Sequence, residues 1–134
     1  MWLLKKKIEK IGLNVAIKIA NTKDLNEITA AIIDTGCDMD LFNQNYQGKI
    51  TETYNVLNPE SEMTDEHGHG THIAGTIAEG TPSNIKILPV KVSSDDEIYS
   101  TDIIEAINYI VYNNKANVIN MSLGSYEDDE SLYQ

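Results

Sequence analysis

Hydrophobic residues recur along this chain with two different periods. Ile28-Thr29-Ala30-Ala31-Ile32-Ile33 is almost continuously apolar and runs into Asp34-Thr35-Gly36. Such a run predicts a strand covered on both faces, as in a parallel sheet. Residues 85–92 alternate with a period of two and predict a second strand, in which Pro89 points to an edge or a bulge. Residues 117–122, centred on Val118-Ile119, predict a third buried strand. Between these strands the period changes. Ile73, Ala74, Ile77 and Ala78 share one side of a helix over residues 71–79, which Gly80 and Pro82 end. Ile103, Ile104, Ile107, Ile110 and Val111 share one side of a second helix from residue 102 to about 113, with Thr101 as its cap. Residues 14–20 suit a strand by their β-branching or a short helix capped by Asn14, and the helix is taken. The polar stretch after Gly36 reads as a loop to about residue 66.

Strands alternating with helices predict an α/β fold in three layers, a parallel sheet flanked by helices. In such sheets functional residues gather at the C-terminal ends of strands, where Asp34 and Ser122 both fall. The 134 residues suit a single domain, and no repeat or low-complexity linker divides them.

Charge narrows the partners. The chain has 10 lysines, no arginine and 21 acidic residues, for a formal net charge of −11. That field disfavours nucleic acid and anionic membrane surfaces. No apolar run approaches the roughly 20 residues that span a bilayer. Trp2-Leu3-Leu4 precedes Lys5-Lys6-Lys7, the reverse of a signal peptide's order. A lone cysteine, Cys37, excludes an internal disulfide. The expectation is a cytoplasmic chain, or a piece of something larger.

Three segments carry candidate chemistry: Asp34-Thr35-Gly36 at a strand end, His67-Gly68-His69-Gly70-Thr71-His72 opening a helix, and Asn120-Met121-Ser122-Leu123-Gly124 at a later strand end. Asp-Thr-Gly alone is a weak signal. His-Gly-Thr-His followed by Ile73-Ala74-Gly75-Thr76 is much stronger. In this order the three resemble the subtilisin-like serine proteases (subtilases, peptidase family S8), over almost the whole chain.

The resemblance implies a subtilisin-like fold, incomplete at the C-terminus, and serine endopeptidase activity on peptide or protein substrates. Asp34 matches the triad aspartate and His69 the triad histidine, in the chain order Asp, His, Ser. The imidazole must take a proton from the nucleophile while a buried carboxylate holds its other nitrogen. Ser122-Leu123-Gly124 matches the segment whose backbone pairs with an extended substrate, so Ser122 is a binding-wall residue. His67 is expected in solvent, and His72 packed and bonded locally. Gly70, Ala74 and Gly75 let the helix approach the sheet closely. Cys37 is expected beneath the loop as a small buried hydrophobe.

Other family features are missing. No Gly-Thr-Ser-Met-Ala-like stretch supplies the nucleophile, and no Ala-Ala-Gly-Asn-like stretch supplies an oxyanion donor. Residues 80–84 are too short for the family's calcium loop, and Asn43 stands where an acidic ligand is common. No metal and no cofactor are expected. The chain alone is expected to be inactive, with a missing C-terminal half carrying the serine. Two rival readings stand beside this one. The first is a non-catalytic peptide-binding remnant or truncated gene product. The second is a zinc hydrolase using His67, His69 and His72 beside Asp65 and Glu66. The acidic residues 127–130, with Asp65 and Glu66, are also expected to flank the cleft and steer cationic peptides.

Overall fold

Successive residues of a strand point to opposite faces of its sheet, so a strand apolar at every position needs cover on both sides. The computed structural model, which describes residues 2–124 apart from the side chains of Trp2, Leu3 and Ile8, meets that need. Strand β1 (Ile28–Asp34) pairs in parallel with β3 (Ile85–Lys91) on one side and β4 (Val118–Met121) on the other. A two-residue β2 (Tyr54–Asn55) extends the sheet beyond β3, giving the order β2-β3-β1-β4. Ala31, Ile33, Leu88 and Val90 turn to one face and pack with Ala106 and Ile110 of helix α5 (Ser100–Tyr112). Ile32 and Ile87 turn to the other. There they meet Phe42 of α3 (Met39–Tyr46) and Ala74 and Ala78 of α4 (His69–Glu79). The three layers read from the sequence are therefore present.

The chain winds from β1 outward to β2 and β3, then crosses to β4 on the far side of β1. The winding reverses at the C-terminal end of β1, the position where open α/β sheets place their ligands. Asp34 stands there, and the register Ile33↔Met121 brings Ser122 level with it.

Several expected details differ. Pro89 lies in an interior strand, paired in register with Ile32 and not on an edge. Its missing N–H falls on the β2 side, between the Ile50↔Ile87 bridge and the Tyr54↔Val90 pair, where the neighbouring segment makes no ladder. Strand β4 is not buried: it borders the described sheet, with Val118 and Met121 about half exposed. Thr101 does not cap α5, since that helix begins at Ser100 after an extended Tyr99. Asn14 lies inside α2 (Leu13–Ala20), whose cap is Gly12 in the left-handed conformation. The stretch read as one long loop contains α3 and β2. In α3 only Met39, Phe42 and Tyr46 reach the core, too few apolar positions to show a period. Its start was nevertheless marked, because Asp38 Oδ1 accepts from Leu41 N as a helix cap. In the short α4–β3 connection, Lys49 Nζ donates to Thr81 O, Thr81 Oγ1 and Pro82 O.

Helix α4 approaches the end of β1 backbone to backbone. A Cβ on Gly70 would collide with the carbonyl oxygen of Gly36, and one on Gly36 (φ 110°) with the carbonyl oxygen of Thr64. By contrast Gly48 (φ 81°) has open space around it. Gly70→Ala is therefore expected to destabilise the chain by about 3 kcal/mol, because backbone must move to admit the methyl group. Gly48→Ala should cost only the left-handed strain of about 1 kcal/mol. Urea denaturation of the two variants checks the difference, and equal losses would contradict the close approach.

Candidate active site

Asp34 ends β1 with its side chain buried, and His69 opens α4 with its ring about 41% exposed. His69 Nδ1 lies 2.7 Å from Asp34 Oδ1. The same oxygen accepts from Thr35 N at 2.8 Å. Asp34 Oδ2 is buried with no hydrogen-bond partner among the described residues. A buried carboxylate at Nδ1 keeps the ring's proton on that nitrogen and leaves the Nε2 lone pair free to accept another. The exposure of the ring makes that lone pair reachable. This arrangement suits a general base acting on a hydroxyl brought to it from outside the described residues, none of whose serines hydrogen-bonds His69.

The other histidines stand apart. His67 Nε2 bonds Asp96 Oδ1 at 2.8 Å, so it is partly exposed but not unpartnered. His72 is exposed and not packed, one turn further along α4. Among the described residues no three His, Cys, Asp or Glu side chains stand together as a metal would require. The zinc reading of His67, His69 and His72 therefore has no geometric support, since His67 and His69 turn to different carboxylates.

Sequence reasoning missed three residues that hold this site together. Thr35 Oγ1 accepts from Gly70 N at 3.0 Å and donates to Asp65 Oδ1 at 2.8 Å. Asp65 also takes bonds from Gly68 N, Thr71 N and Thr71 Oγ1. Lys91, level with Asp34 in the register, is buried and donates to Thr35 O and Thr64 O at 3.0 Å each. It also forms a close ion pair with Glu66. A buried lysine in an apolar strand was the signal available, because such a charge requires a partner.

These contacts bear on the steering expectation. Glu66 is paired with Lys91, whereas Asp65 keeps its negative charge with both carboxylate oxygens occupied by four neutral donors. Residues 127–130 lie outside the described residues. The substrate-pairing segment Ser122-Leu123-Gly124 leaves β4 with Ser122 and Gly124 exposed and Leu123 packed against the α5-side core. Ser122 Oγ accepts from Asn120 Nδ2 at 3.0 Å. Cys37 is fully buried, and its thiol is pushed up to about 12 by burial and by the nearby Asp65 and Asp38 carboxylates.

The subtilase family profile matches residues 26–134. A subtilase-type proteinase, psp3, of Schizosaccharomyces pombe is 39% identical over 107 residues, covering 72% of this chain and 23% of that protein. The major intracellular serine protease of Bacillus subtilis is 39% identical over 118 residues, covering 78% of this chain and 36% of the relative. The crystal structure of a cold-adapted subtilisin-like serine proteinase superposes with a TM-score of 0.61 at 30% identity, covering 77% of this chain and 39% of that one. A lanthipeptide protease superposes at 0.63 and 29% identity, covering 78% and 31%. The chain thus spans well under half the length of each.

Two outcomes follow from the charges at the site. Lys91 and Thr64 hold the Glu66 carboxyl down to about 2. A carboxylate depressed in the folded state adds stability above its unfolded value of about 4.5, lost as pH falls from there towards 2. Glu66→Gln should flatten the stability curve in that window, read by thermal unfolding across pH, and an unchanged acid limb would contradict the pairing. Cys37 should resist alkylation at pH 8 in the folded chain and react once urea unfolds it. Mass spectrometry reads the label, and rapid labelling of native protein would contradict its burial.

Proposed function

From the premise that the chain belongs to the subtilase family, we propose that it is the Asp- and His-bearing part of a serine endopeptidase catalytic domain. Residues 1–134 form one partial domain in this reading. The observation that carries it is the 2.7 Å contact between the Nδ1 of half-exposed His69 and the buried Asp34 carboxylate. His69 Nε2 takes the proton of a serine hydroxyl as that oxygen attacks the peptide carbonyl, then returns it to the leaving amine. Asp34 holds the tautomer and stabilises the imidazolium formed in between. This proton transfer uses side chains alone and calls for no metal or cofactor.

Ser122, Leu123 and Gly124 form the wall on which an extended peptide adds as a strand. Strand β4 is the border of the sheet among the described residues, which supports that role and also favours the second reading, a peptide-binding module that does not cut. The serine comes from further polypeptide carrying a Gly-Thr-Ser-Met-Ala-like stretch. That polypeptide would also cover the exposed Val118 and Met121 of β4. No helix among the described residues is long and apolar enough to cross a membrane. A cytoplasmic setting with peptide or protein substrates, and neither nucleic acid nor membrane as partner, belongs to the same proposal. It is supported by the single thiol and the net charge of −11.

Peptidase assays test the reading, on the 134-residue chain alone and joined to subtilase polypeptide that carries the serine stretch. Hydrolysis is expected only in the joined form. There Asp34→Asn should lower turnover about 10⁴-fold, the scale known for this substitution in another serine protease, through the wrong imidazole tautomer. His69→Ala should lower it about 10⁶-fold, and His67→Ala should leave it essentially unchanged. Phosphonate-sensitive cleavage by the chain alone would sink the proposal, as would full activity in joined His69→Ala. Peptide binding without cleavage in the joined form would favour the second reading.

A further inference from the structure

The contact between Asp34 and His69 joins two segments that share no regular hydrogen-bonded structure. One is the end of β1 with the turn after it, and the other is the start of α4. What ties them is a pair of crossed threonine bridges. Thr35, from the β1 end, accepts Gly70 N of α4 on its Oγ1 at 3.0 Å. Thr71, from α4, accepts Asp38 N of the β1 turn on its Oγ1 at 2.9 Å. Each hydroxyl has one proton, and each spends it on the same carboxylate: Thr35 Oγ1 donates to Asp65 Oδ1 at 2.8 Å, and Thr71 Oγ1 to Asp65 Oδ2 at 2.5 Å. Gly68 N and Thr71 N complete the set, at 2.8 Å to Oδ1 and Oδ2 respectively.

Every group facing Asp65 in this network is therefore a donor. Because Asp65 accepts both hydroxyl protons, both oxygens present lone pairs to the opposite segment. An acceptor-only side chain is required, since an amide in its place would aim an NH₂ group at N–H and O–H donors. The carboxylate also lies at the N-terminal end of α4, where the unpaired amides and the helix dipole favour negative charge. The Gly68 cap has no side chain to do this work, so the capping comes from Asp65 and Thr35. Burial alone would push the Asp65 carboxyl up, but the bonds from Thr71, Gly68 and Thr35 outweigh it and hold it below the usual carboxylate range.

We propose that Asp65 is a positioning residue for the Asp34–His69 pair, setting the direction of both threonine hydroxyls and so the seat of His69 against Asp34. The proposal rests on the reading of that pair as catalytic. Asp65 touches no reacting atom. It acts through Thr35 and Gly70 on one arm and through Thr71 and Asp38 on the other. Both arms meet α4 just after His69, at Gly70 and Thr71, and the direct bond from Gly68 N to Asp65 holds the residue before it. Losing the carboxylate frees the start of α4 to shift relative to the β1 end, and a shift of that kind breaks the Nδ1–H···Oδ1 bond.

Nitrogen NMR of the imidazoles in the full 134-residue chain tests this, read at a pH where the rings are neutral. The readout is the ratio of Nδ1–H to Nε2–H tautomers of His69. Asp65→Asn is expected to lower that ratio about tenfold, the scale of one hydrogen bond to a charged group. Thr35→Val and Thr71→Val should lower it as well, whereas Thr35→Ser and Thr71→Ser, which keep the hydroxyls, should retain it. Ile110→Ala, a cavity on the opposite face of the sheet, should lower the melting temperature and leave the ratio alone. An unchanged ratio in folded Asp65→Asn overturns the proposal, and so does an equal shift in Ile110→Ala. If Asp65→Asn fails to fold, unchanged ratios in the two valine variants overturn it in its place. Asp34→Asn separates the two levels. Loss of the tautomer preference there but not in Asp65→Asn overturns the positioning role alone. No loss in Asp34→Asn overturns the Asp34–His69 reading and the positioning role with it.

Discussion

Two glycine backbones touching, Gly36 after β1 and Gly70 in the first turn of α4, set the distance on which the site depends. No side chain intervenes, so the helix sits as close to the strand end as van der Waals contact allows. At that separation a short carboxylate on one segment reaches an imidazole on the other, and Asp34 Oδ1 and His69 Nδ1 are 2.7 Å apart. Close packing is hard to deform, so a contact between backbones is a more exact spacer than one between flexible side chains. The hydrogen bond from Gly70 N to Thr35 Oγ1 lies across the same contact and uses an amide that a helix start leaves unpaired.

The acidic composition takes on a different meaning in the folded chain. Asp65 and Glu66 sit four and three residues before His69, where a charged rim would be placed by inspection of the sequence. In the structure both are committed to local donors. Asp65 fills with Thr35, Gly68 and Thr71, and Glu66 pairs with Lys91, whose ammonium also holds the carbonyls of Thr35 and Thr64. Burying a lysine is costly unless it is paired and hydrogen-bonded. Here the charge draws the turn after β1 and the segment before α4 onto the end of β3. The polar groups nearest the candidate catalytic pair thus act as fastenings between strand ends, at the place where the sheet's winding reverses.

The sheet also explains why the two faces of the molecule are unequal. Around β1 and β3 both sides are filled, by α5 on one face and by α3 and α4 on the other. Strand β4 has Val118 and Met121 about half exposed, and Val111 and Tyr112 at the C-terminal end of α5 are exposed as well. Apolar surface beside a strand border is a liability in water unless something covers it. The same border is where Ser122-Leu123-Gly124 continues, so the surface that invites further polypeptide and the wall proposed for substrate adjoin each other.

By itself the sequence determined the strands and helices whose apolar periods are long and uninterrupted. Ile28 to Ile33 was legible as a strand covered on both faces, and residues 71–79 and 102–113 as helices, because burial demands repeated apolar positions. The order of the Asp-Thr-Gly, His-Gly-Thr-His and Ser-Leu-Gly segments also sufficed to identify the family. What the sequence did not reveal had little local signature. Helix α3 places only Met39, Phe42 and Tyr46 in the core. Pro89 reads as an edge residue until its neighbour is seen to break the ladder beside it. Asp65, Thr35 and Lys91 look like ordinary polar residues, since the partners that join Thr35 to Asp65 and Lys91 to Thr35 and Glu66 lie 25 to 56 positions apart. Only the tertiary structure decided their roles, because a hydrogen bond's direction and a charge's partner depend on which segments meet in space, and that meeting is set by Gly36 against Gly70.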